Sequence, residues 1–284
     1  MKLSQTRIAI ALAVLVVTSS GCGLVNRIRA KNELNEAART YREGHFDEAE
    51  QHSRRALELD PSSKTAPSFI ARTIHAQYRP GVQSPENLAK AEQAIQAYQQ
   101  ILQKDPKNEE AYKAIAYLYG ATKQEDKLRS WISARANDTS AEPEKRAEAY
   151  IVLASKDWDC SFKITELPAN KTTTLNEGNR ATVSYKKPSD QKEFDNARAC
   201  VKRGLEEVEN AIKLDPNSES AWSYKTNLLL EAKKLAEMDG KTDQAAELDK
   251  QREVAQKRTM ALSEANQKKK EEEEAKKAAS PAKK

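Results

Sequence analysis

The sequence predicts an all-α fold, a solenoid of antiparallel helix pairs, on three observations. One helix ending recurs: Leu57-Glu-Leu-Asp-Pro61, Leu102-Gln-Lys-Asp-Pro106 and Ile212-Lys-Leu-Asp-Pro216, each followed by a polar pair and a new apolar stripe. Proline lacks the N–H that a helix interior needs, so it stops a helix where that loss does least harm. Small and apolar residues otherwise fall at intervals of three and four, the period of a helix face. Composition agrees: 32% of the 284 residues are charged and only eight are glycine, which suits thin helical layers and argues against a loop-rich enzyme.

The stretch from Gly44 to Pro61 shows the logic of one unit. Gly44 permits a tight turn, Ala49 and Ala56 are small enough for two helices to touch, and Pro61 closes the second helix. On these residues and the two later endings, the chain resembles the tetratricopeptide-repeat family. The resemblance implies a right-handed α-solenoid in which each unit pairs a helix A with a helix B. It divides residues 30–262 into units at about 30–63, 64–108, 109–142, 143–216 and 217–262.

The first unit matches in helix B, while its helix A rests on Leu34, Ala37 and Tyr41 and has Glu33 and Glu36 at apolar positions, as an N-terminal cap does. The second carries Ile70, Ala71 and Ile74, then a Pro/Gly-broken segment Tyr78–Pro85 that predicts a protruding loop, then Ala94, Tyr98 and Ile101. Tyr112, Ile115, Ala116 and Tyr119, with Leu128, Trp131 and Ile132, make the third unit. Tyr150, Leu153 and Ala154 begin the fourth, which is interrupted from Asp159 to Ser189 before the stripe Phe194, Ala197, Val201, Leu205, Val208 and Ile212. Within that insertion (160–190), the alternating runs Phe162–Thr165 and Thr182–Tyr185 predict a small β-hairpin. Ala221, Trp222, Leu229, Ala232 and Leu235 open the fifth unit, and Ala245, Leu248, Val254 and Ala255 continue it. Residues 263–284 form a charged low-complexity tail, expected as disorder or as a solvated helix.

Residues 1–21 read as an export signal: Lys2 and Arg7 precede the apolar run Ile8–Val17, followed by small residues and Cys22. Ser20-Gly21-Cys22 resembles a bacterial lipobox, which implies acylation of Cys22, a short lipid-anchored linker over 22–29, and a chain facing the periplasm. Gly23 in place of aspartate favours the outer membrane by the same resemblance. The alternative is an uncleaved anchor helix running through Leu24 and Val25. Export places Cys160 and Cys200 in an oxidising compartment, where an even pair is expected as a disulfide bracketing the insertion; two buried free thiols are the alternative.

The formal charge of +5 sits at the ends, +2 on Lys2 and Arg7 and +3 on Lys268–Lys284, leaving a neutral body that excludes a basic nucleic-acid surface. His45, His52 and His75 lack Cys, Asp or Glu at metal-ligand spacing and read as surface histidines, and the many carboxylates read as solvated helix faces. No catalytic residue, metal ligand or cofactor site is expected. The family geometry instead implies a concave partner-binding face with Tyr41, Tyr117 and Trp158 as aromatic anchors, Arg72 and Lys113 for a carboxylate or carbonyl, and His75 between them. The alternative is that these aromatics pack against the insertions. The family's chaperone-tail clamp is not expected, because Leu34 and Ala38 stand at its Lys and Asn positions. Together these readings describe a membrane-anchored scaffold that binds a peptide or partner protein during envelope-complex assembly. A structural tether whose Lys-rich tail contacts an anionic polymer or membrane is the alternative.

Overall fold

The computed structural model describes residues 3–176 and 180–279, with side chains from 23 to 175 and from 181 to 277. The described residues form ten α-helices: α1 (Leu3–Arg42), α2 (Phe46–Leu59), α3 (Ala66–Gln77), α4 (Pro85–Lys104), α5 (Glu109–Ala121), α6 (Glu125–Asn137), α7 (Pro143–Thr165), α8 (Gln191–Leu214), α9 (Glu219–Met238) and α10 (Thr242–Ala279). An antiparallel hairpin, β1 (Lys171–Asn176) and β2 (Arg180–Tyr185), lies between α7 and α8, with Lys171 opposite Tyr185. The chain divides into two compact units, Met1–Leu128 and Arg129–Lys284, with the boundary inside α6.

The recurring Asp-Pro ending is a helix stop and a helix start in one device. The N–H groups of Asp60, Asp105 and Asp215 donate to Ala56, Ile101 and Ala211, closing α2, α4 and α8. Three residues on, Ser63, Asn108 and Ser218 donate their own N–H groups back to those aspartate carbonyls, while their side chains accept from Ala66, Ala111 and Ala221. Each cap satisfies an N–H that an isolated helix start would leave orphaned.

In the first unit α1 to α5 each pack on the next, and α1 also touches α3. The short loops make successive helices antiparallel, and Gly44, at φ 83°, supplies the turn between α1 and α2. Ala30, Ala56 and Ala66 bring α1, α2 and α3 together. The Pro/Gly segment after α3 is exposed from Arg79 to Gln83 and tied at its ends: the Asn87 side chain accepts from the Arg79 N–H and donates to the Arg79 and Val82 carbonyls, and the buried Tyr78 hydroxyl donates to Ala121.

In the second unit α7 packs along α8 and also meets α9, while α9 lies against α8 and α10. Ala154, Val208, Ala211, Ala221 and Leu228 form one buried cluster there, and Phe194, Ala197, Val201 and Leu235 another. Gly204 is required there, since a Cβ on it would lie 2.7 Å from Leu228 Cδ2 and 3.1 Å from Asp157 Cβ. A disulfide joins Cys160 on α7 to Cys200 on α8, with Cα atoms 6.2 Å apart.

Three sequence expectations change in this unit. Phe162–Thr165 is the last turn of α7, not a strand; the Phe162 ring stacks 4.9 Å from Trp158 one turn earlier, and the Thr165 hydroxyl donates to Glu231. The first strand is the Thr-rich run beginning at Lys171. Asp157 and Glu231 are not on a solvated face but at 2% and 1% exposure. Asp157 accepts from Arg129 and Arg203 at 2.9 Å. Burial, and then the Asp157 carboxylate, push the neighbouring Glu207 carboxyl above its ordinary range, while the Arg129 guanidinium, which donates to its Oε1, pulls the other way.

Glu231 accepts from Ser161, Thr165 and Lys234, and the Lys234 ammonium donates onward to Glu166 at 2.7 Å. Glu166 also accepts from Lys171 of β1 and Tyr185 of β2, so one carboxylate pins both strands to the helices. Partial burial opposes ionisation of Glu166, but these hydrogen bonds outweigh it and hold the carboxyl down to about 2. Beyond Asn266, which donates to Glu219 of α9, α10 continues to Ala279, with its side chains exposed through Lys277.

Candidate functional site

The first unit holds a groove of about 410 Å³ built chiefly by α1, α3 and α5, the first helix of each successive pair. Helical arithmetic places its residues. On α3, Arg72 and His75 lie one turn apart, each about 100° around the helix from the buried residue before it, Ala71 and Ile74. On α5, Glu110, Ala114 and Tyr117 follow at intervals of four and three, about 100° around the helix from the buried Ala111, Ile115 and Leu118. Tyr41 enters from the last turn of α1, Tyr98 from α4 lies beneath, and Tyr78 with Pro80 makes a further wall.

The Arg72 guanidinium stands 5.8 Å over the Tyr41 ring and 5.9 Å over Phe69. Its contact with Glu110, at 3.6 Å between two well-exposed side chains, is of the kind that contributes little. The cation is thus held by aromatic faces and remains open to a ligand oxygen. His75 is half-buried, in contrast to the surface position its sequence context suggests. Burial lowers its imidazole below the ordinary range, leaving a neutral ring at pH 7 whose Nδ1 lies 3.3 Å from the Tyr98 hydroxyl. The His75 ring is also 5.5 Å from that of Tyr117, which is 51% exposed. A second cavity of about 230 Å³, lined by Ala38, Tyr41, Arg42, Phe69 and Arg72, adjoins on the far side of the Arg72 side chain. The arrangement offers two aromatic-walled recesses flanking one cation, suited to binding by stacking and charge-assisted hydrogen bonding.

Of the residues that the family geometry singles out, Tyr41, Arg72, His75 and Tyr117 therefore line one groove. Lys113 is exposed on α5 and lies outside the groove lining. Trp158 belongs to the second unit, half-buried against Phe162 and Tyr224 over the Ala154–Leu228 core, which is the packing alternative for that residue. Position 22 lies in the helical backbone of α1, and the Cys22 side chain is outside the described residues. Sequence reasoning missed Tyr98 and Tyr78 as groove residues, since one reads as a core position of helix B and the other as part of a loop. Among the described residues no group of three or more His, Cys, Asp or Glu is arranged to hold a metal ion. None of the described helices is long and apolar enough to cross a membrane.

Fold and groove define a helical-repeat protein built from paired helices. Residues 201–232 match the family described as the protein prenyltransferase alpha subunit repeat. No curated protein sequence matches the chain. Among solved structures it is similar to MamA (residues 41 to the end) from Desulfovibrio magneticus RS-1, at 15% identity over 81% of this chain and 96% of that one, TM-score 0.38. It is also similar to YrrB, a TPR protein with an unusual peptide-binding site, at 13% identity over 83% and 90% of the two chains, TM-score 0.36. A third is the TPR2AB domain of yeast Sti1 in its pHSP90 complex, at 16% identity over 82% and 96%, TM-score 0.30.

Proposed function

We propose that this chain is a tetratricopeptide-type interaction scaffold whose first unit holds an extended peptide segment of a partner protein in the groove between Tyr41, Arg72 and Tyr117. The observation that carries this reading is the placement of Arg72: a cation set by two aromatic faces, loosely paired, with an aromatic recess on each side. Such a site grips a carbonyl or carboxylate oxygen and seats neighbouring apolar side chains against Tyr41 and Tyr117. The volume falls within the range of specific ligand sites. Tyr117→Ala and Arg72→Ala are each expected to weaken partner binding about tenfold or more, the loss of roughly 1.4 kcal/mol or above that removal of a central aromatic or arginine anchor causes. The exposed Val254→Ala serves as a control that leaves binding unchanged. Titration calorimetry with the captured segment measures both; equal affinity for all three variants would remove the groove from the account.

The same reading places the scaffold in a bacterial envelope, tethered through an acylated Cys22 and facing the periplasm, with assembly of an envelope complex as its role. Its support is the order of Lys2 and Arg7, the apolar run Ile8–Val17, and Ser20-Gly21-Cys22. Cell fractionation checks it: Cys22→Ala is expected to shift the chain out of the membrane fraction, and unchanged membrane recovery would count against acylation.

A further inference from the structure

In the turns of α1 that precede Ala30, the helix carries an exposed apolar arc. Leu24, Val25 and Ile28 are 64%, 47% and 56% exposed. At about 100° per residue, Leu24, Ile28 and Val25 sweep one arc of roughly 100°. Lys31 and Arg27 lie just beyond its Leu24 edge and Arg29 just beyond its Val25 edge. All three cations are exposed. Ala30, 3% exposed and packed with Ala56 and Ala66, sits on the opposite side of the helix. Its burial fixes the rotation of α1, so the apolar arc is turned directly away from the helices it joins.

The charge pattern is equally one-sided. The first acidic residue in the chain is Glu33, so the part of α1 before it carries only positive charge. Long basic side chains flanking an apolar arc can lay their methylenes along it and still keep their charges among phosphates. The segment is also continuous in sequence with the apolar run Ile8–Val17.

We propose that Leu24, Val25 and Ile28, flanked by Arg27, Arg29 and Lys31, form a contact surface for an anionic lipid bilayer, which seats the first unit against the membrane. This rests on the proposed membrane tether and adds to it a second attachment, of the kind that converts a single marginal anchor into a stable one. The surface takes acyl chains at the arc and phosphate headgroups at its two edges.

Site-specific photocrosslinking in the full chain tests the contact. Benzoylphenylalanine replaces Ile28, or Glu36 as an exposed control, and the protein is floated with vesicles of phosphatidylcholine containing about 30 mol% phosphatidylglycerol, an anionic content chosen to give a strong surface potential. Irradiation is expected to give a one-phospholipid mass adduct from position 28 and none from position 36. Arg27→Gln, Arg29→Gln and Lys31→Gln together are expected to lower that adduct yield about fivefold or more in the anionic vesicles. A chain that floats but gives no adduct at 28 would overturn the contact while leaving the tether standing. A chain that does not float would overturn both. Equal adduct yield on neutral and anionic vesicles would overturn the role of the cations.

Discussion

Lys234→Met is expected to destabilise the second unit by about 3–5 kcal/mol, the cost of stranding one partner of a buried ion pair. Lys234 is 4% exposed and Glu231 1%, and the lysine is the only cation among the three hydrogen-bond donors recorded for Glu231. Removing it leaves a desolvated carboxylate held by the hydroxyls of Ser161 and Thr165 alone. Glu166 adds a pH dependence of its own in the native protein. Its folded carboxyl, held down to about 2, contributes stability above about pH 4 that is lost as pH falls toward 2. The double variant Glu231→Gln with Lys234→Met is expected to recover most of the loss, because the pair is then replaced rather than broken. Urea unfolding at pH 7 measures the variants, and unfolding of the native protein at pH 7 and pH 3 measures the Glu166 contribution; a single-variant loss below about 1 kcal/mol at pH 7, the scale of an exposed pair, would mean the pair is effectively solvated.

Opening the disulfide is the second large effect. Cys160 and Cys200 are 40 residues apart, and constraining a loop of that length stabilises a fold by about 2–4 kcal/mol through the unfolded chain. Cys160→Ser with Cys200→Ser is expected to lower the unfolding free energy by that amount. Far-UV helicity below the transition should be unchanged, because α7 and α8 pack along their length and the hairpin keeps its hold on Glu166. Mass spectrometry of the alkylated, non-reduced protein checks the bond itself. Alkylation of both cysteines without reductant would show that the pair is not joined.

The parts of this fold that were legible in sequence are those encoded by neighbours along the chain. Asp60-Pro61, Asp105-Pro106 and Asp215-Pro216 announce helix ends because proline and the following cap act within a few residues. Tyr41, Arg72, His75 and Tyr117 could be aligned because each is set by its phase on one helix. Lys113 lies outside the groove lining although Glu110 and Tyr117, three and four residues away on the same helix, belong to it.

What stayed hidden depends on partners far along the chain. Glu231 reads as surface charge until Ser161 and Thr165, some seventy residues earlier, are brought beside it. Phe162–Thr165 has strand-like composition but is held helical by Trp158 and Glu231, so tertiary contacts override local preference. Tyr98 reads as a core residue of α4; it is indeed buried, and only the convergence of α1, α3 and α5 above it gives it a second role.

The groove itself is tested most directly by photocrosslinking from position 117 in intact cells, followed by sequencing of the captured peptide. The expected result is one recurrent extended segment of one partner, captured from position 117 but not from position 254, and released when Arg72 is replaced by alanine. Capture of the same proteins from both positions, or capture indifferent to Arg72, would contradict a binding role for this face.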